Sequence, residues 1–189
     1  MDSTTPWQCS LRSTLASWLA SQIFYLKLGI SLDKELPSHM ASDRIREAFE
    51  KAKSEGRIAL VPYATVGFPE LGLTTDIVRS LVDAGADIIE LGVPFSDPLG
   101  DGPTVQASGH RALQNGVTPE FCTDTAKEIR AAGIEVPLIF MGYYNNILTM
   151  GLDEYCTRAS EAGVDGLICP DLPAAEAGPL QDSCDSAGL

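Results

Sequence analysis

Three carboxylates crowd into one short stretch of this sequence, ELGVPFSDPLGDGP over residues 90–103, as Glu90, Asp97 and Asp101. Glu90 follows the apolar pair Ile88-Ile89 at the end of a strand-like run, DIIEL. A carboxylate there must face solvent or a polar cleft, since unpaired burial is costly. Partial burial raises its pKa, which suits a group that both takes and gives a proton. Asp97 and Asp101 sit on a loop stiffened by Pro94, Pro98 and Pro103. Taken singly they read as turn and helix-cap residues, because each is followed by Pro or Gly. A strand-end Glu beside a rigid acidic loop favours the chemical reading, acid–base work. Metal chemistry is poorly supplied. The two histidines, His39 and His110, lie far apart and near none of the five cysteines. The cysteines are odd in number and form no CxxC pair, so they read as reduced thiols in a cytosol-like compartment, in packing or surface roles.

The elements that must carry these residues alternate regularly. Ser42 is placed to cap a helix over Arg44–Glu55, with Gly56 as its stop. Strands are expected at Ile58–Val66, Asp87–Leu91, Pro137–Met141 and Asp165–Cys169. Helices are expected from Thr74 or Thr75 to Gly85, from Thr118-Pro119-Glu120 to Gly133, from Asp153 to Gly163, and from Pro173 to Gly188. A short pattern recurs at three helix-to-strand junctions: Ala84-Gly85-Ala86-Asp87, Ala132-Gly133-Ile134-Glu135 and Ala162-Gly163-Val164-Asp165. Each offers a glycine able to take the left-handed helix stop. Strands alternating with helices imply parallel pairing. A doubly wound sheet and a (β/α) barrel both fit, but no GxGxxG follows the first strand, which weakens the nucleotide-binding version. In either fold the active site forms at the C-terminal ends of the strands, where Glu90 and its loop lie.

The chain has 189 residues, 44% hydrophobic and 21% charged, as expected of one globular domain. Its net charge of −13 argues against nucleic acid or an anionic membrane as partner. All of that charge falls in residues 41–189, because residues 1–40 balance Asp2, Asp33 and Glu35 against Arg12, Lys27 and Lys34. The uncharged run between Arg12 and Lys27 is shorter than the ~20 residues that span a bilayer. Signal-peptide and transit-peptide signatures are both incomplete, and an organelle-targeting role stays open. Met40 directly precedes the first helix-start pattern, so residues 1–40 read as an extension, or an artefact, upstream of a natural first residue.

At this point the sequence becomes recognisable. ELGVPFSDPLGDGP followed by Thr104-Val105-Gln106 closely resembles the signature of the tryptophan synthase α subunit family. Pro62–Pro69 (PYATVGFP) resembles that family's first strand and loop, Phe140–Asn145 (FMGYYN) its third, and Asp171-Leu172-Pro173 its fourth. The wording is most similar to the fungal type, in which α and β units share one polypeptide. The resemblance implies a TIM (β/α)8 barrel that cleaves indole-3-glycerol phosphate to indole and glyceraldehyde 3-phosphate, the indole passing to a β unit to make L-tryptophan. It implies Glu90 as the catalytic acid–base group and Asp101 as the second carboxylate, an anion that stabilises positive charge developing on the indole nitrogen. It also implies Tyr63, Tyr143 and Asn145 in substrate binding and Asp171 on the face toward the β unit. For the two tyrosines, strand-end packing is the competing role. No cofactor is expected in this segment, pyridoxal phosphate belonging to the β unit. The resemblance implies a cytoplasmic enzyme.

The departures are specific. A TIM barrel needs eight strands and typically about 250 residues, whereas four β/α units are legible here. The later loops that bind the substrate phosphate have no counterpart, which points to a fragment of a longer synthase, with weak or no activity alone. The first and fourth strands are expected as open edges, prone to self-association. Asn146 stands where many members carry proline, and Gly100 where alanine is usual. Two other readings remain: a half-barrel that only docks a β unit, and a lyase that releases indole alone. Glu90→Gln separates docking from catalysis.

Overall fold

The computed structural model describes residues 43–189. The proposed Ser42 cap and everything expected of residues 1–40 lie outside the described residues. The chain begins with α1 (Asp43–Ser54), followed by β1 (Tyr63–Thr65), α2 (Thr74–Asp83) and β2 (Ile89–Gly92). Two helices come next, α3 (Pro103–Gln114) and α4 (Pro119–Ala131), before β3 (Leu138–Met141). Then follow α5 (Tyr144–Met150), α6 (Leu152–Glu161), β4 (Gly166–Ile168), a 3-10 turn (Ala174–Glu176) and α7 (Gly178–Ala187). The four strands form one parallel sheet in sequence order, β1-β2-β3-β4.

The register sorts the strand residues into two faces. Ile89, Leu91, Leu138 and Phe140 are fully or almost fully buried and, with Val78, Cys122, Ala126 and Ile129 of the helices, make the core. On the other face, Tyr63, Glu90, Ile139 and Gly166 align as one row across the sheet, and Thr65, Gly92, Met141 and Ile168 as the next. This second face carries the polar residues, and Glu90, Ile139 and Met141 on it are only half-buried. Helices cover the first face, and burial along β3 alternates accordingly, with the apolar Ile139 and Met141 on the less buried face. At the N-terminal end of the sheet, α1 brings Ile45 close to Gly166 and Arg44 to within 3.3 Å of the Asp165 carboxylate.

The three recurring junctions behave as their sequence suggests: Gly85, Gly133 and Gly163 all adopt positive φ, at 99°, 79° and 81°. Two of them have a further use. The Leu60 N–H donates to Asp87 at 2.8 Å and the Leu138 N–H to Asp165 at 2.9 Å, so each buried aspartate ties its own strand to the one before it. Arg57 and Arg130 neutralise them at 2.6 Å. Glu135, at the remaining junction, is exposed and lies 3.8 Å from Arg44.

Several boundaries shift. The expected strand at Ile58–Val66 shrinks to Tyr63–Thr65, because its first half runs beyond the ladder with Ile58 82% and Leu60 52% exposed. The helix after β2 is two helices. The sequence reading missed α3 because its only buried residues are Gly109 and Ala112, too little for an apolar stripe to show. It also missed the short α5, while Thr118 does cap α4, accepting the Phe121 N–H at 3.2 Å. The helix expected from Pro173 begins as a 3-10 turn and becomes α7 only at Gly178, ending at the left-handed Gly188 as expected. Among the described residues no helix is long and apolar enough to cross a membrane.

Candidate active site

Glu90 sits in the middle of the sheet's polar face, in register between Tyr63 of β1 and Ile139 of β3. Burial raises its pKa, and the neighbouring charge of Asp101 raises it further. Both effects disfavour the charged form of Glu90. Asp101 stands on the loop after β2, half-buried, and its pKa is also raised by burial, against the opposing pull of a hydrogen bond from Tyr143.

That loop is held from three sides. The Gly100 N–H donates to the Tyr143 hydroxyl oxygen at 2.8 Å. The Gln106 side-chain amide, one turn into α3, donates to the Asp101 carbonyl at 2.9 Å. The Asp101 N–H donates to the Pro98 carbonyl at 3.1 Å. Tyr143 itself is buried just past the end of β3, its ring stacked on Phe95 with centroids 5.2 Å apart. One phenol therefore accepts from the loop backbone and hydrogen-bonds to the Asp101 side chain. Packing and site-building are the same contact here.

Tyr63 lies across β2. A Cβ on Gly92 would collide with the Tyr63 hydroxyl and ring, so the glycine makes room for the phenol to lie flat against the neighbouring strand. Burial pushes the Tyr63 hydroxyl up to about 12, and Thr65 donates to it at 3.4 Å while sharing a 2.7 Å hydrogen bond with Ser108 of α3. Tyr63, Asp101 and Tyr143 line one narrow niche of about 10 Å³ with Val93, Pro98 and Val105.

The remaining two predicted residues are at the same end of the sheet. Asn145 is exposed in the first turn of α5. Asp171, exposed after β4, accepts the Tyr144 N–H at 2.9 Å and so caps α5. Sequence reasoning did not single out Gly92, Gln106 or Thr65. Gly92 carried a signal, a glycine inside a strand, which marks a close backbone approach. The unusual Asn146 has a contact of its own, its amide donating to the Pro94 carbonyl at 3.2 Å.

A roomier cavity, about 400 Å³, lies elsewhere, between β4 and α7. Its walls are mostly apolar, with Ile45, Leu167, Leu172 and Leu180 prominent, and its buried Asp165 is already paired with Arg130. Volume alone does not make it the place for proton transfer. Among the described residues, no cluster of three His, Cys, Asp or Glu side chains is arranged to hold a metal ion.

The site thus combines a carboxylate within β2 and a second one on a loop braced by Tyr143. A sequence profile described as "Tryptophan synthase alpha chain" matches residues 49–189. The chain belongs to the tryptophan synthase alpha chain family. The alpha chain of Chloroflexus aggregans is 51% identical over 139 residues, 74% of this chain and 52% of that one. The alpha chain of the archaeon Methanosarcina acetivorans is 46% identical over 146 residues, 77% of this chain and 53% of that one. The crystal structure of the alpha subunit from Legionella pneumophila superposes with a TM-score of 0.75 at 39% identity, covering 77% of this chain and 56% of that one. The chain spans about half the length of the curated relatives it matches. Its four parallel strands and flanking helices are accordingly half of the TIM barrel of this family, and the polar face of the sheet is the barrel's interior.

Proposed function

We propose that this chain carries the acid–base centre of an α-type lyase of tryptophan biosynthesis, which cleaves indole-3-glycerol phosphate to indole and glyceraldehyde 3-phosphate. The observation that carries the reading is the paired environment of Glu90 and Asp101, in which burial raises the pKa of both carboxyls and the charge of Asp101 raises that of Glu90 further. The reaction needs that arrangement. A proton is delivered to C3 of the indole, giving an iminium-like tautomer. The hydroxyl on the adjoining side-chain carbon then loses its proton, and its electron pair closes to the aldehyde carbonyl. The bond between that carbon and C3 breaks as its electrons return to the indole ring. One proton is taken up and one released, so a single carboxyl group of suitable pKa can serve both steps.

In this reading Glu90 is that group, and its place among the sheet's interior residues lets it swing between the two proton sites. Asp101 accepts the indole N–H and stabilises the positive charge on the ring as C3 is protonated. Tyr63 and Tyr143 shape the wall against which the indole lies, Asn145 borders the entrance, and Asp171 faces a β unit that takes up the indole. Pyridoxal phosphate serves that β unit, and the work of this chain is proton transfer by its own carboxylates. A cytoplasmic location is consistent with the proposed role.

The test is indole release from indole-3-glycerol phosphate by the 189-residue chain, alone and with a tryptophan synthase β unit. Turnover that disappears in Glu90→Gln while the circular-dichroism spectrum stays unchanged supports the assignment. Turnover that survives in Glu90→Gln overturns Glu90 as the proton carrier. A folded chain without turnover in either condition overturns the lyase reading for this chain.

A further inference from the structure

Cys156 and Cys184 are 28 positions apart in the chain, yet their sulfurs lie 3.6 Å apart across the seam between α6 and α7. The seam holds them there. On one side the Ser183 hydroxyl donates to the Asp153 carboxylate at 2.6 Å, and on the other the Ser160 hydroxyl donates to the Ala187 carbonyl at 2.7 Å. A disulfide bond is about 2.05 Å long, so joining the sulfurs asks for a closing movement of roughly 1.5 Å, which side-chain rotation can supply.

The two thiols differ in access. Cys156 is fully buried, whereas Cys184 is partly exposed and lines the 400 Å³ cavity beside β4. The hydrogen bond between them also divides their acidity, lowering the pKa of Cys184 and raising that of Cys156. The accessible sulfur is thus the one closer to its nucleophilic form, with a resolving thiol directly behind it. The other described cysteines lack this arrangement. Cys122 is fully buried with its thiol pKa pushed up, and Cys169 donates to the Asp171 carboxylate, which also disfavours its thiolate.

We propose that Cys156 and Cys184 form a thiol–disulfide exchange site that takes a small organic disulfide of the glutathione class through the cavity beside β4 and closes to a disulfide between α6 and α7. The Cys184 thiolate attacks one sulfur of the small disulfide, whose S–S bond breaks, and one small thiolate leaves. Cys156 then loses its proton and attacks the Cys184 sulfur, breaking the mixed disulfide and releasing the second small thiolate. Two protein thiols are oxidised by two electrons, and the small disulfide is reduced to two thiols. Lower thiol-to-disulfide ratios in the surroundings therefore fasten α7 to α6.

The experiment incubates the full chain with oxidised glutathione at several ratios to the reduced form, then maps unreduced peptides by mass spectrometry. The expected product is a cross-linked peptide pair containing Cys156 and Cys184, about 2 Da lighter than the separate peptides. Its formation raises the Tm by roughly 5 °C, reversed by dithiothreitol. In Cys156→Ser the glutathione adduct on Cys184 should persist, and in Cys169→Ser the cross-link should form unchanged. A lasting glutathione adduct on Cys184 of the unaltered chain, a cross-link that uses Cys169 instead, or no modification at any ratio overturns the proposal. The unaltered chain decides the matter by itself if the serine variants fold poorly.

Discussion

The Tyr143 hydroxyl accepts the Gly100 N–H at 2.8 Å, and through this one hydrogen bond the end of β3 sets the position of the acidic loop that follows β2. The same oxygen hydrogen-bonds to the Asp101 side chain and holds its pKa below where burial alone would place it. Tyr143→Phe removes both interactions and keeps the ring stacked on Phe95. Gly100 is exposed, so water can replace the lost partner, and the cost in stability should be about 1 kcal/mol or less by thermal melts. The effect on indole release should be larger, about 10-fold or more in kcat/KM, because the loop loses its anchor. The acidic limb of the pH profile should also move to higher pH, since Asp101 without the phenol ionises later. An unchanged profile would detach Tyr143 from Asp101.

Gly92 makes a sharper structural demand. A Cβ there runs into the Tyr63 ring as well as its hydroxyl, so Tyr63→Phe cannot relieve the clash. Gly92→Ala should destabilise the chain by about 1–3 kcal/mol in denaturant melts, the usual cost of overpacking. Combining it with Tyr63→Ala should cost clearly less than the sum of the two single changes, because the clash is gone. Additive effects would mean that the alanine is accommodated by backbone movement instead.

How much of this was legible beforehand depends on whether the cause was local. The left-handed stops at Gly85, Gly133 and Gly163 and the Thr118 cap are properties of a few adjacent residues, and the sequence displays them. Glu90 and Asp101 stood out for the same reason. By contrast, the Tyr63–Gly92 contact needs the β1–β2 register, and the Cys156–Cys184 contact needs two helices packed side by side. Helix α3 escaped because it is bound to the rest largely by polar contacts, such as Ser108 with Thr65 and Gln106 with the acidic loop, instead of an apolar stripe. Asp87 and Asp165 were visible as a repeat, but their partners, the backbone of Leu60 ahead of β1 and of Leu138 in β3, come beside them only in the fold.

Those two aspartates predict where the fold is weakest. Asp165 accepts from the Leu138 backbone and from Arg130, whose own guanidinium pKa is lowered by burial. Asp165→Ala takes the carboxylate away from the half-buried Arg130, which keeps its carbonyl acceptors at Gly163, Ile134 and Val136, and leaves the buried Leu138 N–H without its acceptor. Losing one partner of such a pair should cost about 3 kcal/mol in urea melts. Glu135→Ala, at the equivalent position of the exposed junction, should stay within about 0.5 kcal/mol. Equal costs at the two positions would deny the buried aspartate its role in joining β3 to β4.

The pH dependence of stability separates the site from the scaffold. Glu90 and Asp101 have raised pKa values in the native chain, from ordinary values of 4.5 and 3.8. As pH rises through those ordinary values the unfolded chain gives up the protons first. The native state then binds more protons than the unfolded one, so stability falls with rising pH until the native carboxyls ionise too. Asp87 works in the opposite sense. Its pKa is lowered, chiefly by Arg57, and its contribution is present above 3.8 and lost as pH drops through its depressed native value. Glu90→Gln removes the share of Glu90 in the first effect and leaves that of Asp101 and the whole of the second. The variant should therefore melt at a higher temperature than the unaltered chain at pH 7, with the gap narrowing as pH falls through 4.5 and Glu90 becomes protonated in the unfolded state too. An inactive variant that is also more stable would mark Glu90 as a residue held in its place at a cost to the fold. A lower melting temperature at pH 7 would mean that the charged form of Glu90 has stabilising partners and is no strained proton carrier.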